Sequence, residues 1–225
     1  MDSMQLVNAS VDAVMKFLLG NCGSRTYEGC PWKLALEEKS LELLVYSGDA
    51  PAGSSNKRFK AVCVLPYSPL FIRNVLDDSV ARIRWDVNIE SLETVVLQEQ
   101  PFKAYLLRSR TKSVGLISGR EFLDVPVYFD FLEAPSAPAG PDNFVAPIGS
   151  LINGGHGLLS HPDFPETGDF VRGWNSPGSG WLFEPILGEG GQCVATRVHY
   201  LIHVDLKGWI PTTLVNSSLG VSSIP

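Results

Sequence analysis

Two pairs of side chains in this chain stand four residues apart and could do chemistry: Arg82 with Asp86, and His199 with His203. A guanidinium presents several donors in a planar fork that suits a phosphate. A carboxylate beside it could hold that fork, or meet a cationic group on the same ligand. At the end of a short helix the two residues could equally form a structural ion pair, and both readings stand. For the histidines, the spacing would suit a shared metal ion on a helix. They fall instead in the alternating run Ala195 to Asp205, which reads as a strand. At about 3.3 Å per residue the rings then lie roughly 13 Å apart, too far to share an ion. No metal and no other cofactor is expected.

Motifs for covalent catalysis are incomplete. Gly178-Ser-Gly180 lacks the five-residue nucleophile elbow, and Gly115-Leu-Ile-Ser-Gly119 places its serine one residue late. His156 and His161 sit in a glycine-rich stretch without a dedicated partner. The chain is expected not to be an enzyme.

The elements that must position these groups follow from periodicity. Val11, Val14, Met15 and Leu18 recur at helical spacing behind Ser10, giving a first helix of about three turns. Strand-like runs follow at Trp32 to Glu37, Leu41 to Tyr46 and Arg58 to Leu65. Ser68-Pro69 starts a second helix by cap and first-turn logic, and Asp78 to Trp85 forms a third. Alternating segments then run at Ile89 to Glu99, Phe102 to Arg110, Arg120 to Phe131, Phe144 to Leu151, Phe170 to Trp174, Trp181 to Ile186 and Ala195 to Asp205. Pro135 to Pro141 and Asn153 to Gly168 read as loops. Short connections imply antiparallel pairing, and the order of elements reads as α+β. After Asp205 the chain turns at Gly208 and re-enters a helix at Pro211.

Composition limits the partners. The chain has 225 residues, 44% hydrophobic and 19% charged, with a net charge of -6. That length suits one domain, 1–225, able to bury roughly seven-tenths of its unfolded surface. An acidic chain with pI near 5.2 is a poor match for nucleic acid, which needs a basic face. Four cysteines at irregular spacing read as reduced thiols. The N-terminal segment carries no basic leader, and Asp12 interrupts its apolar run. No stretch of 18 apolar residues appears, so no spanning segment is expected, and the expected compartment is the cytoplasm.

Five landmarks stand in one order along the chain: Phe59-Lys60-Ala61, Arg82-Ile-Arg-Trp-Asp86, Ile117-Ser-Gly-Arg-Glu-Phe-Leu123, Val171-Arg-Gly173 and Asp205-Leu-Lys-Gly-Trp-Ile-Pro211. Together they resemble the START domain family of lipid-binding modules, over about residues 30 to 216, closest in motif to its phosphatidylcholine-transfer-like members. Glu121 departs from the Asp usual after the arginine but keeps the charge. The resemblance implies the helix-grip fold, a strongly curved antiparallel sheet wrapped on a C-terminal helix with an internal lipid tunnel. It implies a monomeric carrier that exchanges one lipid with a membrane surface, a phospholipid in preference to a sterol or ceramide. Alternatives are an enzyme of acyl-CoA thioesterase type and a lipid-gated sensor.

Resemblance also assigns residues. Arg82 takes the place of the arginine that meets a lipid phosphate, with Asp86 beside it and Tyr200 as a third ligand contact. Trp85 is expected as a core anchor. Val114, Leu116 and Ile117 form an apolar gate loop or, equally, a simple tight hairpin, and Trp209, Leu214 and Val215 belong to the lid helix. Leaving water, some thirty methylenes gain on the order of 20 kcal/mol, but leaving a bilayer they gain almost nothing. Selection then falls to the headgroup, where an unmatched polar contact costs ~1–3 kcal/mol. Tyr200, Ile202 and Val204 share one face of the last strand, and His199, Leu201, His203 and Asp205 the other. Periodicity leaves open which face meets the lipid.

Overall fold

A computed structural model of the chain describes residues 2–22, 26–27, 30–50, 54, 56–113, 117–131, 148–208 and 210. Its first helix, α1 (Ser3–Ala13), opens with a capping box. The Asp2 carboxylate accepts the Gln5 N–H at 2.8 Å, and the Gln5 amide accepts the Asp2 N–H. The helix runs on through a wider π turn, Val14–Leu19, into α2 (Gly20–Cys22). It therefore starts a full two turns earlier than the apolar spacing behind Ser10 suggests. Ser10 is no cap: it is buried inside the helix, and its hydroxyl donates to the Val125 carbonyl at 2.6 Å.

Fourteen strands are described. A small hairpin pairs β1 (Thr26–Tyr27) with β2 (Cys30–Pro31). The main sheet takes β3 (Lys33–Glu38), β4 (Leu43–Gly48) and β5 (Arg58–Leu65) before the helices α3 (Pro69–Asp77) and α4 (Ser79–Trp85). It resumes with β6 (Ile89–Gln98), β7 (Lys103–Thr111), β8 (Arg120–Asp130) and β9 (Leu151–Leu158). Then come β10 (Val171–Arg172), β11 (Trp174–Asn175), β12 (Ser179–Leu187), β13 (Cys193–Ile202) and β14 (Val204–Asp205). Their spatial order is β3-β4-β5-β13-β12-β9-β8-β7-β6, antiparallel throughout, with β10 parallel beside β8. The sheet is open, and helices lie on both of its faces. This is the expected α+β architecture.

α3 and α4 form where local signals place them. Ser68 caps α3 by accepting the Phe71 N–H, and Pro69 fills the first helical position. Asp78 caps α4 by accepting the Ala81 N–H at 2.9 Å. One element departs from expectation: Asn153 to Gly168 holds the strand β9 rather than a loop from its start. Its glycines are there for close approach, not for turning. A Cβ on Gly155 would stand 2.0 Å from the Val125 carbonyl oxygen, and one on Gly154 would stand 2.9 Å from Leu18 of the first helix. The expected strand from Phe144 lies mostly outside the described residues, as does the helix from Pro211.

Two layers of apolar contacts hold the sheet. On one face Val7, Val14, Leu18 and Cys22 pack on Ala104, Val127, Ile152, Leu182 and Leu201. On the other face Ile72 and Leu76 of α3 pack on Leu151, Phe183, Val198 and Trp181. Burying side chains of this size contributes about 1.5–3 kcal/mol each. The turn after β14 follows the expected pattern, with Gly208 at φ +71 and the Asp205 carboxylate accepting the Lys207 N–H.

Candidate functional site

Cross-strand pairing decides which face of β13 carries which chemistry, because directly opposed residues point the same way. His199 stands opposite Leu182, on the face covered by the first helix. Its Nε2 lies 2.8 Å from Glu184 Oε2, and both side chains are buried, so His199 is committed to an internal pair. His203 lies against the hydroxyls of Ser176 and Ser54. Tyr200 stands opposite Trp181, on the α3 face, and the two rings stack with centroids 3.9 Å apart. Phe183 continues that wall, its ring 6.2 Å from Trp181 and nearly coplanar in orientation.

α3 is tied down at both ends of its sheet contact. Arg73 pairs with Asp130 of β8, and Asp77 accepts a hydrogen bond from the Asn153 amide of β9 at 3.1 Å. The next helix, α4, has no buried residue. Trp85, expected as a core anchor, is 38% exposed at the end of a helix that buries none of its residues. On this helix Arg82 Nε lies 3.9 Å from Asp86 Oδ2. That distance is an ion pair without a hydrogen bond, and the Nε is buried with no acceptor among the described residues.

The charges of Arg82 and Asp86 both act on the Tyr200 hydroxyl of β13. Burial pushes the Tyr200 hydroxyl up to about 12. The Arg82 charge pulls it down, while Asp124 and Asp86 push it further up. Asp124 is a group that spacing alone did not single out. It projects from β8 beside Asn175 of β11, whose amide donates to both carboxylate oxygens at 3.0 Å. Burial raises Asp124 to about 6, against the lowering effect of that amide. The signal was legible in Arg120-Glu-Phe-Leu-Asp-Val-Pro-Val-Tyr128: in a buried strand, Asp124 and Tyr128 share one face while Leu123, Val125 and Val127 fill the other.

The landmark arginines have internal partners. Arg172 Nη2 donates to Glu121 Oε1 at 2.5 Å, and Arg110 Nε donates to the other oxygen at 2.7 Å. Arg120 donates to the Leu206 carbonyl at 2.7 Å, tying the start of β8 to the turn after β14. His156, expected without a partner, lies on β9 with its Nδ1 2.7 Å from the Ser10 hydroxyl. Of the expected gate residues only Ile117 is described, half-buried next to Ser118. The base of its loop is closed by the Gly119 N–H donating to the Ser113 hydroxyl at 3.0 Å. Val114 and Leu116 lie outside the described residues, as do Trp209, Leu214 and Val215. No helix among the described residues is long and apolar enough to cross a membrane.

Known proteins resemble this chain in sequence and in fold. Residues 158–224 match the START domain family model. StAR-related lipid transfer protein 5 of Homo sapiens is 28% identical over 138 residues, 60% of this chain and 54% of that protein. Steroidogenic acute regulatory protein, mitochondrial, of Gallus gallus is 30% identical over 95 residues, 40% of this chain and 32% of its own length. The chain therefore matches about half or less of the length of these curated relatives. Among solved structures, human StAR-related lipid transfer protein 5 superposes with TM-score 0.64 at 21% identity, covering 85% of this chain and 80% of that one. Human STARD10 superposes with TM-score 0.68 at 18% identity, covering 91% and 71%.

Proposed function

We propose that this chain, which matches the START domain family model over residues 158–224, belongs to that family and holds one lipid against the α3 face of its sheet. The cargo is a phospholipid before a sterol or a ceramide. The observation that carries the reading is the Arg82 side chain. Its buried Nε proton lacks an acceptor among the described residues, and its charge acts on the hydroxyl of Tyr200, whose ring stacks on Trp181. Burying a donor without an acceptor costs free energy, and a phosphate oxygen of a bound headgroup offsets that cost. Asp86 holds the guanidinium from one side and leaves its other donors for the ligand.

The protein acts as one lipid-binding unit, a monomer of the cytoplasm that docks transiently on a membrane and does no chemistry on its cargo. Apolar burial is nearly equal in the bilayer and in the protein, so exchange is reversible and the headgroup contacts set the preference.

Transfer of fluorescent phosphatidylcholine between donor and acceptor vesicles tests the proposal. Faster transfer in proportion to added protein supports it. Transfer at the rate of vesicles alone would rule it out.

A further inference from the structure

The lipid reading leaves Asp124 unexplained. On the α1 side of β8 its neighbours Leu123 and Val125 are 1% and 0% exposed, so the carboxylate points to the opposite face, that of α3 and α4. Across that face runs β11. A Cβ on Gly157 would stand 2.6 Å from the Asn175 carbonyl oxygen and 2.7 Å from its nitrogen, so only glycine lets β11 lie there. The Trp174 indole fixes the crossing by donating to the Gly157 carbonyl at 3.1 Å. Asn175 is thereby held over β8 with its amide on both oxygens of Asp124.

One neutral amide does not balance a half-buried carboxylate. Among the described residues no Lys, Arg or His stands within ion-pair distance of Asp124, while Glu93, Glu121, Asp130 and Glu184 all have such partners. Each carboxylate oxygen keeps a free lone pair after accepting from Asn175. The charges of Asp124 and Arg82 also act together on one group, the Tyr200 hydroxyl, with opposite sign. A cation and an anion, Arg82 and Asp124, therefore both lie close enough to act on the same tyrosine, with Asp86 acting in the sense of Asp124.

We propose that Asp124, positioned by Asn175, is a second headgroup subsite that takes an ammonium or hydroxyl donor while Arg82 takes the phosphate. This rests on the lipid-carrier reading and sharpens it. The pair selects headgroups that carry a donor or a positive charge beyond the phosphate, and disfavours phosphatidate, which brings only negative charge to Asp124. Burial that already penalises the ionised form of Asp124 strengthens the discrimination, because a second anion there has no water to screen it.

The purified full chain is incubated with vesicles of phosphatidylcholine, phosphatidylethanolamine and phosphatidate in equal amounts, then re-isolated, and its lipid quantified by mass spectrometry. The expected result is a preference of about tenfold or more for the two zwitterionic lipids over phosphatidate, one charge pair's worth of discrimination. Asp124→Asn keeps a side chain able to bond Asn175, and is expected to collapse that ratio towards one through loss of phosphatidylcholine and phosphatidylethanolamine uptake relative to phosphatidate. Equal uptake of all three lipids by the wild type would overturn the proposal, as would an unchanged ratio in Asp124→Asn. Because the wild-type ratio is readable without any variant, a variant that fails to fold leaves the test standing. Uptake of no lipid at all removes the carrier reading and the subsite with it, whereas uptake without charge preference removes the subsite alone.

Discussion

Arg82 and Asp86 face each other one turn apart on α4, Nε to Oδ2 at 3.9 Å, in ion-pair range but without a hydrogen bond between them. The looseness of that pair distinguishes it from the Arg172–Glu121 pair, which closes at 2.5 Å inside the molecule. The first leaves its guanidinium without a hydrogen bond among the described residues, whereas the second commits both terminal nitrogens, to Glu121 and to the Leu159 and Phe164 carbonyls, in holding β10 to β8.

Arg82→Leu should therefore cut phospholipid uptake by roughly tenfold, the loss expected for one charge-assisted contact. Because α4 has no buried residue, the melting temperature should stay within a few degrees of wild type. A transfer assay alongside thermal denaturation checks both halves. Unchanged uptake would show that Arg82 serves only Asp86.

Ser10→Ala removes the hydroxyl that bonds the Val125 carbonyl and approaches His156. Both groups are then left inside the layer between the first helix and the sheet. The expected cost is about 1–3 kcal/mol, read from the denaturant midpoint. A change under a few tenths would mean that these contacts are not held in solution.

Gly155→Ala tests the tight β8–β9 crossing. Its new methyl would stand 2.0 Å from a backbone oxygen, which no side-chain motion relieves. Destabilisation by about 2–4 kcal/mol is expected. Gly191→Ala supplies the comparison: nothing lies within 4 Å of its added Cβ, and its φ of +75 should make the only cost a backbone one of about 1 kcal/mol.

Stability should depend on pH through Asp124. Its folded-state value, raised to about 6 from 3.8 by burial, means that the folded chain binds more protons than the unfolded chain between those limits. The contribution of this group is thus most favourable below about pH 4 and is lost as pH rises through 6. Asp124→Asn, which does not titrate, should gain on the wild type by on the order of 1–2 kcal/mol between pH 4.5 and pH 7.5. Parallel denaturation curves for the two proteins at both pH values check this. A constant gap would show that Asp124 titrates normally.

Much of the frame was legible because local signals carry it. Ser68-Pro69 and Asp78 mark the starts of α3 and α4, alternation marks β5, β8 and β12, and Gly208 marks the turn after β14. Legibility fails where contacts between distant segments decide the outcome. β9 reads as a loop because Gly154, Gly155 and Gly157 are turn formers in isolation, and only Leu18, Val125 and Asn175 lying against them explain the glycines. The side of β13 that carries the polar wall became clear only from the pairing of Tyr200 with Trp181. Of the polar wall, Arg82 and Asp86 are visible from spacing on one short helix. Asp124 shows only as an acid on the alternating face of β8, because the partner that positions it, Asn175, is 51 residues away in sequence.

The central claim is that the α3 face of this sheet, with Arg82 at its rim, holds a single amphiphile. Native mass spectrometry of the full chain, purified after exposure to phosphatidylcholine vesicles, tests it most directly. A dominant species heavier than the chain by one phospholipid is the predicted result, reduced in Arg82→Leu. A spectrum showing only the bare chain, under conditions that keep it folded, would contradict the account.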